Sequence, residues 1–144
     1  MVTINLELKS GDYGFKIKDQ QGHSVKTDTS PDNGGENYGF RPMQLVLAAL
    51  GSCSAIDLVS ILKKQRQEID DLKMEIHGER EQDVIPSLWK QVNVIIQLTG
   101  NINEEKARRA AELSMEKYCS VAETLRRGGT KIHWEIIVKA REGK

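Results

Sequence analysis

Between Arg41 and Lys64 the chain reads RPMQLVLAALGSCSAIDLVSILKK, an almost wholly apolar run with Cys53 near its middle. Pro42 suits the first turn of a helix, and a helical pattern continues to about Gln67, roughly 39 Å at ~1.5 Å per residue. Leu45, Val46, Leu47, Ala48, Ala49 and Leu50 cover every direction around the axis. A helix apolar all round has to be enclosed by protein, until KKQRQE returns it to water. A chain of 144 residues is one domain long and can bury a core without disulfides. One small domain is nevertheless short of material to wrap such a helix, which points to a subunit interface.

The same run bears on membranes, because Asp57 interrupts it before the ~20 uncharged residues of a span are reached. The first residues, MVTINLELKSGDYG, lack the basic-then-apolar order of a signal peptide. The 21 basic and 21 acidic residues cancel, which removes the electrostatic case for nucleic acid or an anionic membrane surface. Aromatic residues are scarce, which argues against a base-stacking platform. Two cysteines are too few for a secreted disulfide scaffold, so the expectation is a cytoplasmic protein with reduced thiols.

Strand patterns flank the helix. Val2, Ile4, Leu6 and Leu8 alternate with polar residues, Phe15 and Ile17 with lysines, and a short strand is expected from Val25 to Thr29. SPDNGGENYGFRP reads as a flexible connection, since no lysine-serine signature follows its glycines to make an anion cradle. After the helix, Leu72, Met74 and Ile76 define one strand, and Val92, Val94 and Ile96 another. Asn103 is placed to cap a second helix with Glu104 and Glu105 in its first turn and Ala107, Ala110, Ala111 and Leu113 inward. A short helical piece runs from Cys119 to about Arg127, and TKIHWEIIVKA closes the chain as a strand. The order β-β-β-α-β-β-α-α-β implies a single α+β domain over 1–144 with antiparallel sheet.

Two thiols carry the candidate chemistry. In its own context Cys53 reads as a small core hydrophobe, and Asp57 one turn on opposes a thiolate there unless a cation neutralises the carboxylate. Cys119 lies where one helix ends and the next begins, with Ser120 and Glu123 placed like a cap and its partner. Free N–H groups at that start favour a thiolate, so Cys119 is either a reactive thiol or a buried junction residue. Together they could form a redox pair, one attacking and the other resolving a sulfenic acid as a disulfide. They lie 66 residues apart, and spacing alone does not bring them together. His23, His77 and His133 lack metal-ligand spacing, so no metal and no bound cofactor is expected. Arg126 is most simply a solvated helix end, although its guanidinium near Cys119 could stabilise a thiolate.

The run RPMQLVLAALGSCSAIDLVSILKK, with ELSMEKYCSVAETL and the final KIHWEI, resembles the OsmC/Ohr family of thiol-dependent peroxidases over nearly the whole chain. The resemblance implies an intertwined homodimer whose long central helices are wrapped by antiparallel sheets from both subunits. It implies reduction of organic hydroperoxides, hydrogen peroxide less well, as part of an oxidative-stress response. By the same resemblance Cys53 is the peroxidatic thiol and Cys119 the resolving one, with an external dithiol or lipoyl-type group as reductant. An apolar pocket beside the thiolate would suit an apolar hydroperoxide. Family members hold the thiolate with an arginine from the N-terminal sheet and a glutamate ten positions before the cysteine. Here that position is Met43, followed by Gln44, and the first forty residues contain no arginine. Arg41, Arg126 and Arg127 are the substitutes available, and Gln44 and Asp57 the nearby polar groups. The alternative these departures support is a dimeric, stress-related protein of the same fold that binds a small apolar ligand without efficient peroxidase chemistry.

Overall fold

The computed structural model describes residues 1–141. They form two compact units, Met1–Ala48 and Ala49 onward.

The first unit is an antiparallel meander of β1 (Asn5–Ser10), β2 (Gly14–Lys18) and β3 (Ser24–Thr27). Its register pairs Leu6 with Ile17 and Ile17 with Val25, so the alternating apolar residues do share one face. Such alternation predicts a half-buried strand, but Leu6 is 60% exposed in the chain. The connection after β3 is tied rather than slack. Buried Asp28 accepts the backbone N–H groups of Thr29 (2.7 Å), Glu36 (2.9 Å) and Tyr38 (3.1 Å), closing the loop on itself. Gly39 then passes so close to β3 that a Cβ there would run into the Lys26 carbonyl, and only glycine allows the bridge from Thr27 to Phe40.

Helix α1 (Pro42–Lys64) starts in the first unit and continues into the second. It stops three residues before the expected Gln67 because Arg66 takes a left-handed conformation (φ 58°). The Gln67 N–H then closes on the Leu62 carbonyl (2.9 Å) and the Arg66 N–H on that of Lys63 (3.0 Å), the paired bonds of a Schellman ending. By length and composition alone α1 could cross a membrane, so Asp57 does not exclude it on that ground. Its Leu50, Leu58 and Leu62 are buried in the core. The opposite face is uncovered, with Ile56 66% exposed, so one chain does not enclose the helix as its composition demands.

The second unit is built on β4 (Glu68–Arg80), β5 (Trp89–Asn101) and β6 (Lys131–Lys139), in that order across the sheet. β5 is central, and its Val92, Val94, Ile96 and Leu98 are buried at alternate positions. Each such side chain contributes about 1.5–3 kcal/mol of apolar burial. α1 approaches β4 closely enough that a Cβ at Gly51 would stand 2.5 Å from Ile76 Cδ1. α2 (Glu104–Leu113) is capped by Asn103, whose side chain accepts the Lys106 N–H at 3.0 Å, and buries Ala107, Ala110 and Ala111. A π-helical turn, Ser114–Tyr118, leads into α3 (Ser120–Arg127).

The sheet is not antiparallel throughout. β4 and β5 are antiparallel, but β6 runs parallel to β5, with Ile96 opposite Ile136. The helices between β5 and β6 carry the chain back along the sheet, so β6 starts at the same end as β5.

Candidate active site

Both cysteines belong to the second unit, and the fold brings them together. Cys53 sits mid-way along α1 and is half-buried. Cys119 is 3% exposed, and its thiol lies close enough to Cys53 to feel it. The π turn sets its position, with the Cys119 N–H closing on the Ser114 carbonyl at 2.8 Å, five residues back.

The cap of α3 is Cys119 itself, not Ser120. Its Sγ accepts the Ala122 N–H at 3.4 Å, while Glu123 turns to Arg127 (3.1 Å) instead of reaching back to the cap. A helix start favours a thiolate, but here burial outweighs it. Desolvation is the largest influence on the Cys119 thiol, the Ala122 and Val121 amides oppose it, and the neighbouring Cys53 adds to it. The result is a thiol pushed up from 9.0 to about 11, protonated at neutral pH.

Two serines hold the cysteine-bearing segments in register. Buried Ser114, at the start of the π turn, donates its hydroxyl to the Ser54 carbonyl at 2.8 Å. Ser54 follows Cys53 directly, and its own hydroxyl bonds back to the Leu50 carbonyl at 2.8 Å. Neither serine stands out by sequence reasoning. The available signal was a small polar residue inside an apolar run, beside one cysteine and five before the other.

The polar residues expected near a thiolate have other partners. Arg41 donates to the Gly39 carbonyl (2.9 Å) and to Asn37 Oδ1 (2.8 Å) within the first unit. Gln44 acts as a reverse cap, its side-chain carbonyl accepting the Arg41 N–H at 3.0 Å. Arg126 faces Glu116 at 3.7 Å, and Glu116 also accepts the Trp134 indole N–H. Asp57 Oδ2 is buried with no hydrogen-bond partner among the described residues, and so is Arg126 Nη2, whose contact is the long ion pair to Glu116.

Two cavities lie on the elements that carry the cysteines. One of about 320 Å³ opens at Cys119, between Lys117 and Arg127. The other, about 430 Å³, runs along α1 past Asp57 to Tyr118, the residue before Cys119. Among the described residues no group of three or more His, Cys, Asp or Glu side chains is placed to hold a metal ion.

Comparison with known proteins agrees with this layout. Residues 34–135 match the family profile of OsmC-like proteins. Protein YhfA of Escherichia coli (strain K12) is 38% identical over 127 residues, 88% of this chain and 91% of its own. The crystal structure of a hypothetical protein from Aquifex aeolicus VF5 superposes with a TM-score of 0.79 at 33% identity, covering 96% of this chain and 98% of that one. The structure of an organic hydroperoxide resistance protein from Legionella pneumophila gives a TM-score of 0.72 at 16% identity, over 94% and 96% of the two chains, a likeness of fold. By profile, by a relative matched along most of its length and by architecture, the chain belongs to the OsmC-like family.

Proposed function

We propose that this chain is a thiol-dependent peroxidase that reduces organic hydroperoxides through Cys53 and Cys119. The observation that carries the reading is the closeness of the two thiols across 66 residues of sequence, with Ser114 of the Cys119 turn bonded to the Ser54 carbonyl next to Cys53. Cys119 is buried and protonated, so the attacking sulfur is the more accessible Cys53. Its thiolate attacks the terminal oxygen of R–O–O–H, the O–O bond breaks, and the departing alkoxide takes a proton to leave as R–OH. Cys53 becomes a sulfenic acid. The Cys119 sulfur then attacks Cys53 Sγ, its proton leaves with the hydroxide as water, and a disulfide closes. An external dithiol, lipoyl-type by family resemblance, returns two electrons and two protons and leaves as its own disulfide.

The working unit in this reading is a cytoplasmic homodimer. Support comes from the uncovered side of α1, where Ile56 projects, and from the exposed Leu6 and Leu8 of β1, apolar surface that a second copy would bury.

Steady-state turnover of cumene hydroperoxide with dithiothreitol tests the chemistry. Wild type is expected to exceed Cys53→Ser clearly, with hydrogen peroxide consumed more slowly. Equal background rates for the two proteins end the proposal. A second reading, a dimeric binding protein without efficient peroxidase chemistry, is favoured by the occupied guanidinium group of Arg41. It predicts a small apolar ligand in native mass spectra of the purified protein and no turnover above background.

A further inference from the structure

The two thiols differ in access, and the difference follows from how their elements are packed. Cys53 stands at the border of the buried face of α1. Leu50, Ser54 and Leu58 are buried on one side of it, while Ser52 and Ile56 on the other side are exposed. Cys119 lies between the π turn and α3, where Met115 is 1% exposed and Ala122 wholly buried, and its Sγ accepts the Ala122 N–H at 3.4 Å. A disulfide between the two offers an incoming thiolate two targets, and exchange depends on access and on the thiol that leaves. The leaving group favours attack at Cys119, because Cys119 itself, pushed up from 9.0 to about 11, is a poor thiolate to expel. At ~0.5 logarithm per pKa unit, the response thiol nucleophiles show, that bias is on the order of tenfold. Access favours Cys53 by more. A sulfur in packed surroundings reacts only after local opening, which slows it on the order of 10²-fold or further.

We propose that the reducing dithiol attacks Cys53 Sγ, so that peroxide and reductant use the same sulfur in turn and Cys119 is the leaving group, received by the Ala122 amide. The inference rests on the disulfide of the peroxidase reading and adds the direction of its reduction. One thiolate of the dithiol bonds to Cys53 Sγ, the Cys53–Cys119 bond breaks, and its electron pair goes to Cys119 Sγ. The Ala122 N–H is already bonded to that sulfur, and burial favours its taking up the proton shed by the dithiol. The second thiolate of the dithiol then attacks the reductant sulfur held on Cys53. That bond breaks, and Cys53 leaves as the thiolate that meets the next peroxide. Two electrons have passed to the cysteine pair, and the dithiol departs as its own disulfide.

The test uses the wild-type chain, its disulfide closed with diamide so that no peroxide is involved. The oxidised protein meets 2-mercaptoethanol briefly, a monothiol that leaves the first adduct in place, and is quenched in acid. Freed thiols are alkylated with N-ethylmaleimide and both cysteines are read by peptide mass spectrometry. The expected result is mercaptoethanol on Cys53 and maleimide on Cys119, at least about tenfold over the reverse. The same reaction on the urea-unfolded chain is expected to lose that preference, since only the fold makes the sulfurs unequal in access. Equal labelling of the folded protein overturns the proposal. So does an adduct on Cys119, which would make the 320 Å³ cavity at that residue the entrance for the reductant. A preference that persists in urea overturns it as well, and so does failure of diamide to close the disulfide. A protein that gives the expected adducts yet turns over no peroxide would end the peroxidase reading and leave the direction of attack established.

Discussion

Alkaline pH is expected to destabilise this protein through Cys119 in particular. In the unfolded chain that thiol loses its proton near 9, whereas in the fold burial holds it until about 11. Below the lower value both states keep the proton, and stability does not depend on this group. Between the two the unfolded chain ionises first, so stability falls as pH rises through that window. The loss amounts to ~2 kcal/mol by pH 11 and approaches ~3 kcal/mol above it. Lysines and tyrosines titrate in the same range, so the measurement is a double difference. Urea unfolding of wild type and Cys119→Ser, both reduced, is compared at about pH 8 and at about pH 11. Wild type is expected to lose ~2 kcal/mol more than the serine variant, which has no proton to lose there. Equal losses would refute the claim that burial, and not the helix start, governs Cys119.

Three further outcomes follow from named contacts. Ser114→Ala removes a buried hydrogen bond worth ~1 kcal/mol, lowering Tm by about 3 °C and slowing closure of the Cys53–Cys119 disulfide in a stopped-flow thiol assay; an unchanged closure rate would show that the serine does not hold the pair. Arg66→Gly relieves a left-handed non-glycine residue at the end of α1 and is expected to raise Tm by a few degrees, about 1 kcal/mol in calorimetry, whereas no gain would mean the position is unstrained. Three backbone donors, that of Glu36 foremost, hold the Asp28 carboxyl below its ordinary range, so its support of the loop is present above pH ~4 and lost as pH falls through its lowered value. Asp28→Asn is expected to speed hydrogen exchange at the Glu36 and Tyr38 amides, and unchanged protection would contradict that role.

The fold was legible wherever periodicity reports burial. Val92, Val94 and Ile96 are buried at alternate positions as their spacing predicts, and Asn103 caps α2 as its place before two glutamates predicts. Strand direction was not legible, because alternation is the same in parallel and antiparallel pairs, and β6 differs from the expected sheet for that reason. The end of α1 was misplaced by three residues because its left-handed residue is Arg66, and glycine is the usual signal. At the site, local context made Cys53 core and Cys119 a helix-start thiol. Only the tertiary approach of the π turn to α1, through Ser114 and Ser54, makes neighbours of them, and nothing local encodes a contact over that separation. The all-round apolarity of α1 was plain in the sequence. Its uncovered face then shows how much of that apolarity one chain leaves unburied.

The most direct test of the central claim is a single-turnover reaction. Reduced wild-type protein receives one equivalent of cumene hydroperoxide, and its thiols and peptide map are read by mass spectrometry. The account predicts loss of both thiols together and a Cys53–Cys119 disulfide within one chain, with Cys119→Ser stopping at a Cys53 sulfenic acid that dimedone traps. Survival of both thiols, or oxidation that begins at Cys119, would contradict it.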